Sequence, residues 1–116
     1  MVMNIDLHSH FFPIEELQDP GKYQDRALKI VLESGKLRVT SRIGMRAGLG
    51  AGAYDPAARI KALDEMKIDL QAISPSPILL FYWEDAAAAA HFSRKQNEAI
   101  QAVVERSALS PFDYAG

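Results

Sequence analysis

Polar and apolar residues alternate from Asn4 to His8, and the segment ends before Pro13, a pattern that predicts a first β-strand. Because alternate side chains of an extended strand share a face, Asp6, His8 and His10 are expected to point to the same side. A packed core would reject such a polar face. The carboxyl end of this strand is therefore a candidate for chemistry.

Two apolar runs at residues 28–33 and 36–40 flank Ser34-Gly35 and predict a β-hairpin with a tight, glycine-containing turn. The hairpin belongs to an expected insertion over residues 21–53. Residues 44–53 contain repeated glycines and predict a flexible loop. These glycines do not follow a phosphate-binding pattern, so no ligand is assigned to the loop.

A helix is predicted from Pro56 to Met66. Asp55 is a preferred N-cap residue, and proline is favoured at the first helical position. Ile60, Leu63 and Met66 recur at the spacing of one helix face, which predicts the apolar stripe that faces the core.

A second strand and a long helix follow. Residues 68–74 predict the strand, and the run 75–77 closes it because its prolines cannot continue a hydrogen-bonded ladder. The helix is expected to begin at Glu84 or Asp85 and to continue to about Arg106. The residues predicted to share its buried face are Phe92, Gln96, Ala99, Ile100 and Val103.

This order of strand, helix, strand and helix predicts a parallel strand pair with right-handed crossovers, and hence an α/β fold of the barrel or open-sheet kind. Residues 1–116 are expected to form a single domain. They are too few for a complete eight-unit barrel, which needs about 250 residues.

The composition narrows the possible partners and ligands. With 48% hydrophobic residues, 24% charged residues and a formal charge of −2, the chain has the profile of a soluble globular domain. It has no cysteine, so a bound metal would need nitrogen or oxygen ligands. No long basic run indicates nucleic-acid binding, and no window approaches the ~20 apolar residues of a membrane span. Without an apolar leader, the expected location is the cytoplasm.

His8 and His10 are the strongest candidates for a functional site. Histidines two apart lie roughly 6.6 Å apart along a strand, and their ring nitrogens can converge on one zinc where the strand bends. Ligands of parallel α/β folds gather at the carboxyl ends of strands, where this pair falls. The alternative is that both are polar residues leaving a strand. Asp6 is expected to orient neighbouring groups, and His91 to be a solvated helix residue.

Three residues are candidates for substrate binding. Phe81 and Trp83 follow the second strand and are suited either to walling a pocket for a planar substrate or to packing under the following helix. Arg38 on the hairpin is suited to holding a substrate carboxylate through its planar guanidinium. Its alternative role is that of a solvated edge-strand charge.

Three blocks of sequence together resemble the start of amidohydrolase-related enzymes of the aminocarboxymuconate-semialdehyde decarboxylase type. They are residues 5–13, with the sequence Ile-Asp-Leu-His-Ser-His-Phe-Phe-Pro, residues 55–66 and residues 68–77. The resemblance covers nearly the whole chain. His-x-His is shared by much of the amidohydrolase superfamily, whereas Ile-Asp-x-Gln-x-x-Ser followed by Phe-Tyr-Trp at 81–83 is more typical of the decarboxylase branch.

The resemblance implies a partial (β/α) TIM-type barrel, made of the first two βα units with a β-hairpin insertion. It implies that His8 and His10 are the first two ligands of zinc or another divalent metal. Arg38 occupies the hairpin position where these enzymes hold a substrate carboxylate. The implied activity is zinc-dependent decarboxylation of a small carboxylic acid, with hydrolysis as the nearest variant.

Two departures from the family pattern bear on these expectations. Lys67 stands where these sequences often place glycine, and a left-handed turn there costs a residue with a side chain roughly 1–2 kcal/mol. The family also draws its further ligands and its acid-base residue from later strands, and residues 110–116 resemble only the approach to a third strand. We therefore expect a truncated product, or one that acts with partner chains, inactive alone and with no catalytic acid-base residue of its own.

The open barrel edge is expected to favour homo-oligomers. An alternative of a different class follows from the same edge: a non-catalytic remnant or interaction module that keeps the half-barrel and dimerises through it.

Overall fold

The computed structural model describes residues 2–18 and 28–107. They form a small mixed α/β domain with one parallel strand pair and one three-stranded antiparallel sheet. The elements are β1 (Ile5–Asp6), α1 (Ile14–Leu17), β2 (Lys29–Glu33), β3 (Lys36–Ser41), β4 (Gly44–Leu49), α2 (Pro56–Glu65), β5 (Leu70–Gln71) and α3 (Ala86–Ser107), with 3₁₀ turns at Ala51–Ala53 and Pro77–Leu79. None of the helices in this part of the chain has the length and apolar character needed to cross a membrane. The predicted approach to a third strand at 110–116 and the insertion residues 21–27 lie outside the described residues.

β1 and β5 pair in parallel, as predicted, with Ile5 opposite Leu70. Both strands are shorter than predicted, but the parallel ladder resumes at an isolated bridge between His10 and Ser74. The carboxyl ends of the two strands therefore run side by side. This arrangement brings the His-x-His segment next to the end of the second predicted strand.

The predicted hairpin around Ser34-Gly35 is confirmed. β2 and β3 are antiparallel, with Glu33 opposite Lys36. Both turn residues have positive φ, 51° for Ser34 and 76° for Gly35. Two such residues form the two-residue turn whose twist matches that of the flanking strands.

The prediction of a flexible loop over residues 44–53 is wrong. Gly44–Leu49 form β4, which pairs antiparallel with β3, and a 3₁₀ turn follows. The register between β3 and β4 is irregular, with Ala47 and Gly48 opposing the single residue Arg38. Gly48 has a φ of 67°, which a β-bulge can require and glycine adopts without strain. Gly44 and Gly48 are thus residues of a bulged edge strand and not of a flexible loop.

α2 begins as predicted. Asp55 is its N-cap, and the Asp55 side chain accepts a hydrogen bond from the Ala57 N–H at 3.1 Å. The predicted apolar stripe is wrong in part, since Ile60 and Met66 are exposed. The side of the helix that packs inward carries Arg59, which makes hydrogen bonds to other parts of the fold. The inward side therefore combines Arg59 with the partly buried Leu63, and apolar spacing could not reveal the arginine.

α2 ends in a left-handed residue, Lys67, whose φ is 59°. The Lys67 N–H donates to the Asp64 carbonyl at 3.1 Å, and the Ile68 N–H donates to the Leu63 carbonyl at 2.9 Å. These are the paired hydrogen bonds of a Schellman helix end, which glycine usually closes. The left-handed turn is therefore kept here with a lysine.

Lys67→Gly is expected to raise the free energy of unfolding by about 1 kcal/mol, because glycine avoids the steric cost that a Cβ brings at positive φ. Urea unfolding followed by circular dichroism measures this change. Lys61→Gly is the matched control, because it lies inside the same helix and should lower the free energy of unfolding by about 1 kcal/mol. Shifts of the same sign in both variants would contradict the assignment.

α3 covers the core with the face predicted for it, burying Phe92, Gln96, Ile100 and Val103. The larger buried cluster consists of Phe12, Leu17, Leu37, Val39, Leu79, Phe81 and Phe92. The smaller one consists of Phe11, Ile100 and Val103. Phe11 and Phe12, which directly follow His10, thus lie in different clusters. The core anchors the histidine segment at its carboxyl end.

Candidate metal-binding site

His8 and His10 lie beside each other just beyond the first strand. Their ring centroids are 5.2 Å apart, and the ring planes are inclined by 76°. Two imidazoles on one tetrahedral zinc, each with its nitrogen about 2.0–2.1 Å from the ion, have ring centroids about 5 Å apart. The spacing of the pair therefore fits two ligands of one metal ion.

The pair is not a complete catalytic zinc site by itself. Within residues 2–18 and 28–107, no group of three His, Asp or Glu side chains is placed to hold a metal ion. A catalytic zinc usually has three protein ligands and one open position. Two histidines fall short of that ligand set.

Ser74 contacts the ring of His10 across the parallel strand pair. The His10 Nδ1 lies 3.2 Å from the Ser74 Oγ, and the Ser74 Oγ donates to the Ser9 carbonyl at 3.3 Å. A hydroxyl has a single hydrogen, so when Ser74 gives it to the Ser9 carbonyl, Ser74 accepts the hydrogen bond from the His10 Nδ1. In that tautomer Nε2 keeps the lone pair that a metal ion requires.

Both carboxylate oxygens of Asp6 are engaged within the protein. Oδ2 accepts from the Gln71 Nε2 at 2.9 Å, and Oδ1 accepts from the His8 N–H at 3.1 Å. These hydrogen bonds, first that of Gln71, hold the pKa of Asp6 below its ordinary 3.8. The resulting stabilisation is present above the unfolded pKa and is lost as the pH falls through the lower folded pKa. The placement agrees with an orienting role for Asp6.

Arg59, which sequence reasoning did not single out, reaches the site from α2. Its Nε donates to the Gln71 Oε1 at 2.8 Å, its Nη1 donates to the Gly52 carbonyl at 2.8 Å, and its Nη2 donates to the Ser9 Oγ. Its guanidinium carbon lies 5.7 Å from the centre of the Phe11 ring, within cation–π range.

The charge of this guanidinium is partly buried. Burial lowers the pKa of Arg59 from its ordinary value, and the nearby charge of Asp6 opposes that shift. An arginine remains protonated at neutral pH under such conditions. Its hydrogen-bond partners are 7, 12 and 50 residues away along the chain. No local pattern in the sequence could have signalled them.

Phe81 lies in the core and does not wall a pocket. It is 0% exposed, and its ring centroid lies 5.2 Å from those of both Trp83 and Phe92. The structure thus corrects the pocket interpretation of Phe81 in favour of packing under the following helix. Trp83 is half-buried, and its indole Nε1 is buried without a hydrogen-bond partner among the described residues.

Arg38 lies on β3 between the buried Leu37 and Val39, and its side chain is on the exposed face. Among the contacts of the described residues, none joins Arg38 to His8 or His10. The structure therefore brings the two histidines together and, in the part of the chain that it describes, shows no contact between them and Arg38. β3 is the central strand of its sheet, between β2 and β4, so the prediction of an edge-strand charge is wrong about the edge. Arg38 is an exposed charge on a central strand.

A cleft of about 570 Å³ opens between residues 13–16, residues 54–56 and the carboxyl half of α3. Phe11 and Val103 form part of its apolar wall. The predicted site residues that do not line it are His8, His10, Arg38, Phe81 and Trp83. The cleft and the histidine pair are thus separate features of the described structure.

No protein-family model matches this sequence. The function must therefore be argued from the placement of the side chains.

Proposed function

We propose that this chain forms the first two βα units of an amidohydrolase-type (β/α) barrel and contributes His8 and His10 to a zinc site for decarboxylation of a small carboxylic acid. The observation that carries the proposal is the pair of imidazoles, 5.2 Å between centroids, beyond the carboxyl end of a parallel strand. Ligands of parallel α/β folds gather at that end. The resemblance of residues 5–13, 55–66 and 68–77 to the decarboxylase type supplies the reaction.

Zinc at this position would lower the pKa of a bound water to about 7. Its positive charge would also attract an acidic substrate. The chain's own residues would hold the metal ion and orient the substrate. His8 and His10 would bind the ion, and Ser74, by accepting from the His10 Nδ1, would leave the His10 Nε2 available for it. Arg38 and Trp83 are the proposed contacts of the substrate carboxylate and of its planar part.

The third protein ligand has to come from outside the described residues, for instance from a second chain. Until it is supplied, the site lacks the ligand set of a catalytic zinc, and we expect no turnover from the chain alone. Once the site is complete, release of carbon dioxide from a small carboxylic acid would distinguish decarboxylation from hydrolysis, the nearest variant in the same superfamily.

A second candidate function is a non-catalytic interaction module. The observation that favours it is an exposed apolar surface at β1, where Val2 is 85% and Leu7 is 79% exposed. Among the described strands β1 pairs with β5 alone, so its other edge is open. Open edges and exposed apolar residues favour association with another chain. Such a module would not need the metal.

Size-exclusion chromatography with light scattering, run with zinc and with a chelator and followed by zinc determination, tests both functions. The metal site predicts zinc in the protein peak at one ion per chain or one per two chains. The interaction module predicts an oligomer that holds no zinc and keeps its size in chelator. Protein that emerges free of zinc under all conditions would contradict the metal site.

A further inference from the structure

A relay of hydrogen bonds leads from Arg59 to the backbone of His8. The Arg59 Nε donates to the Gln71 Oε1 at 2.8 Å, and the Gln71 Nε2 donates to the Asp6 Oδ2 at 2.9 Å. The other oxygen of Asp6 accepts the His8 N–H at 3.1 Å. The position of the first histidine is therefore tied, through two side chains, to a residue of α2.

The same guanidinium also contacts the residue between the two histidines. Its Nη2 donates to the Ser9 Oγ, and its Nη1 donates to the Gly52 carbonyl in the 3₁₀ turn that follows β4. The Ser9 carbonyl in turn accepts the Ser74 N–H at 3.1 Å. Arg59 thus joins the histidine segment, the second strand and the end of the hairpin insertion.

The chemical identity of each member suits this role. Arginine donates only, from a rigid planar fork, whereas a carboxylate accepts only. A glutamine can join them, because its amide oxygen accepts from Arg59 and its amide nitrogen donates to Asp6. A lysine in place of Arg59 would keep the charge, but its single ammonium cannot reproduce three donors in a fixed plane.

We propose that Arg59 is a positioning residue for the His8–His10 metal site, which it orients through Gln71 and Asp6 on one side and Ser9 on the other. The inference rests on the proposed metal site and deepens it. Groups that orient a metal ligand without touching the ion typically contribute roughly 10–100-fold to metal affinity. Arg59 acts in this way because one of its hydrogen bonds ends on Ser9 in the histidine segment and another ends on Gln71, which holds Asp6, while the third fixes the guanidinium to the Gly52 carbonyl.

Measurements of zinc affinity test this role. They use competition with a chromophoric chelator and compare the full chain with its variants Arg59→Gln, Arg59→Lys and Arg46→Gln. We expect the dissociation constant for zinc to rise roughly 10–100-fold in Arg59→Gln. Arg59→Lys should recover only a small part of the loss, because charge without the planar fork is insufficient. Arg46→Gln, at an exposed position on β4, should leave the affinity unchanged. Unchanged affinity in Arg59→Gln, or full recovery with lysine, would overturn the proposal.

A metal-free measurement separates this inference from the zinc site itself. The Phe11 N–H donates to the Ser74 carbonyl at 3.0 Å, and the Ser74 N–H donates to the Ser9 carbonyl. Amide hydrogen exchange by NMR should accelerate several-fold at these two amides in Arg59→Gln but not across the hairpin. Val39→Ala, a core variant of the hairpin, should instead accelerate exchange across the whole fold. If the wild-type chain binds no zinc, the proposed metal site is wrong, and hydrogen exchange alone tests whether Arg59 orients the histidine segment. Selective acceleration then supports the orienting role, and its absence overturns that role.

Discussion

Replacing Phe81 with alanine should lower the free energy of unfolding by about 3–5 kcal/mol, the usual cost of removing a buried phenylalanine ring. The ring is 0% exposed and packs between Trp83 and Phe92, so its removal leaves a cavity in the larger cluster. A domain of ordinary stability, about 5–15 kcal/mol, would lose a large part of its margin. Urea unfolding measured by tryptophan fluorescence and by circular dichroism gives the change directly.

The backbone at Phe81 offers a sharper control. Its φ is 55°, which costs a residue with a Cβ roughly 1–2 kcal/mol. Phe81→Gly should therefore be more stable than Phe81→Ala by about 1 kcal/mol, although glycine is normally the worse replacement. Tyr82→Ala, at a position 68% exposed, should change stability by less than about 0.5 kcal/mol. A loss below about 1 kcal/mol in Phe81→Ala would mean that the ring is not part of the core.

Local chemistry explains which elements could be predicted from the sequence. The start of α2 followed from Asp55-Pro56, because capping depends on neighbouring residues alone. The buried face of α3 followed from helical spacing, because a long helix repeats its apolar positions over several turns. The hairpin turn followed from Ser34-Gly35. In each case the residues that determine the structure are adjacent or nearly so.

The elements that escaped prediction depend on distant partners. β4 is a strand because its backbone pairs with β3. Its glycines are typical of a loop, so the sequence did not predict the strand. Arg59 lies on the inward side of α2 because it bonds to Gln71 and Ser9, which local spacing cannot show. Phe81 was open to two interpretations because burial depends on the whole fold.

The residues of the candidate site also fall into two groups, those that local sequence predicts and those that depend on distant partners. His8 and His10 could be placed together because strand alternation is local, and the structure brings their rings to 5.2 Å. Ser74 and Gln71 lie 64 and 65 residues from their partners His10 and Asp6. Their part in holding the site therefore emerges only from the parallel pairing of β1 with β5.

His8→Ala and His10→Ala are each expected to weaken zinc binding by more than about 100-fold, because even loss of a group that merely orients a ligand costs roughly 10–100-fold. Neither substitution should unfold the protein, since neither histidine belongs to the buried clusters of the described structure. His91→Ala is the matched control: it removes an exposed histidine from α3 and should leave zinc affinity unchanged. The affinities are measured by chelator competition, with cobalt(II) absorption as a report on ligand geometry.

The three variants also distinguish a built site from casual binding by surface histidines. If the ring pair binds one ion, the two single variants lose about as much affinity as the double variant, because removal of either ligand breaks the same chelate. Independent surface binding would instead make the losses add, and His91→Ala would then contribute its own share. Equal losses in all three single variants would therefore contradict a site at the carboxyl end of β1. Loss confined to His8 and His10 would identify that strand end as the place where the remaining ligand has to be sought.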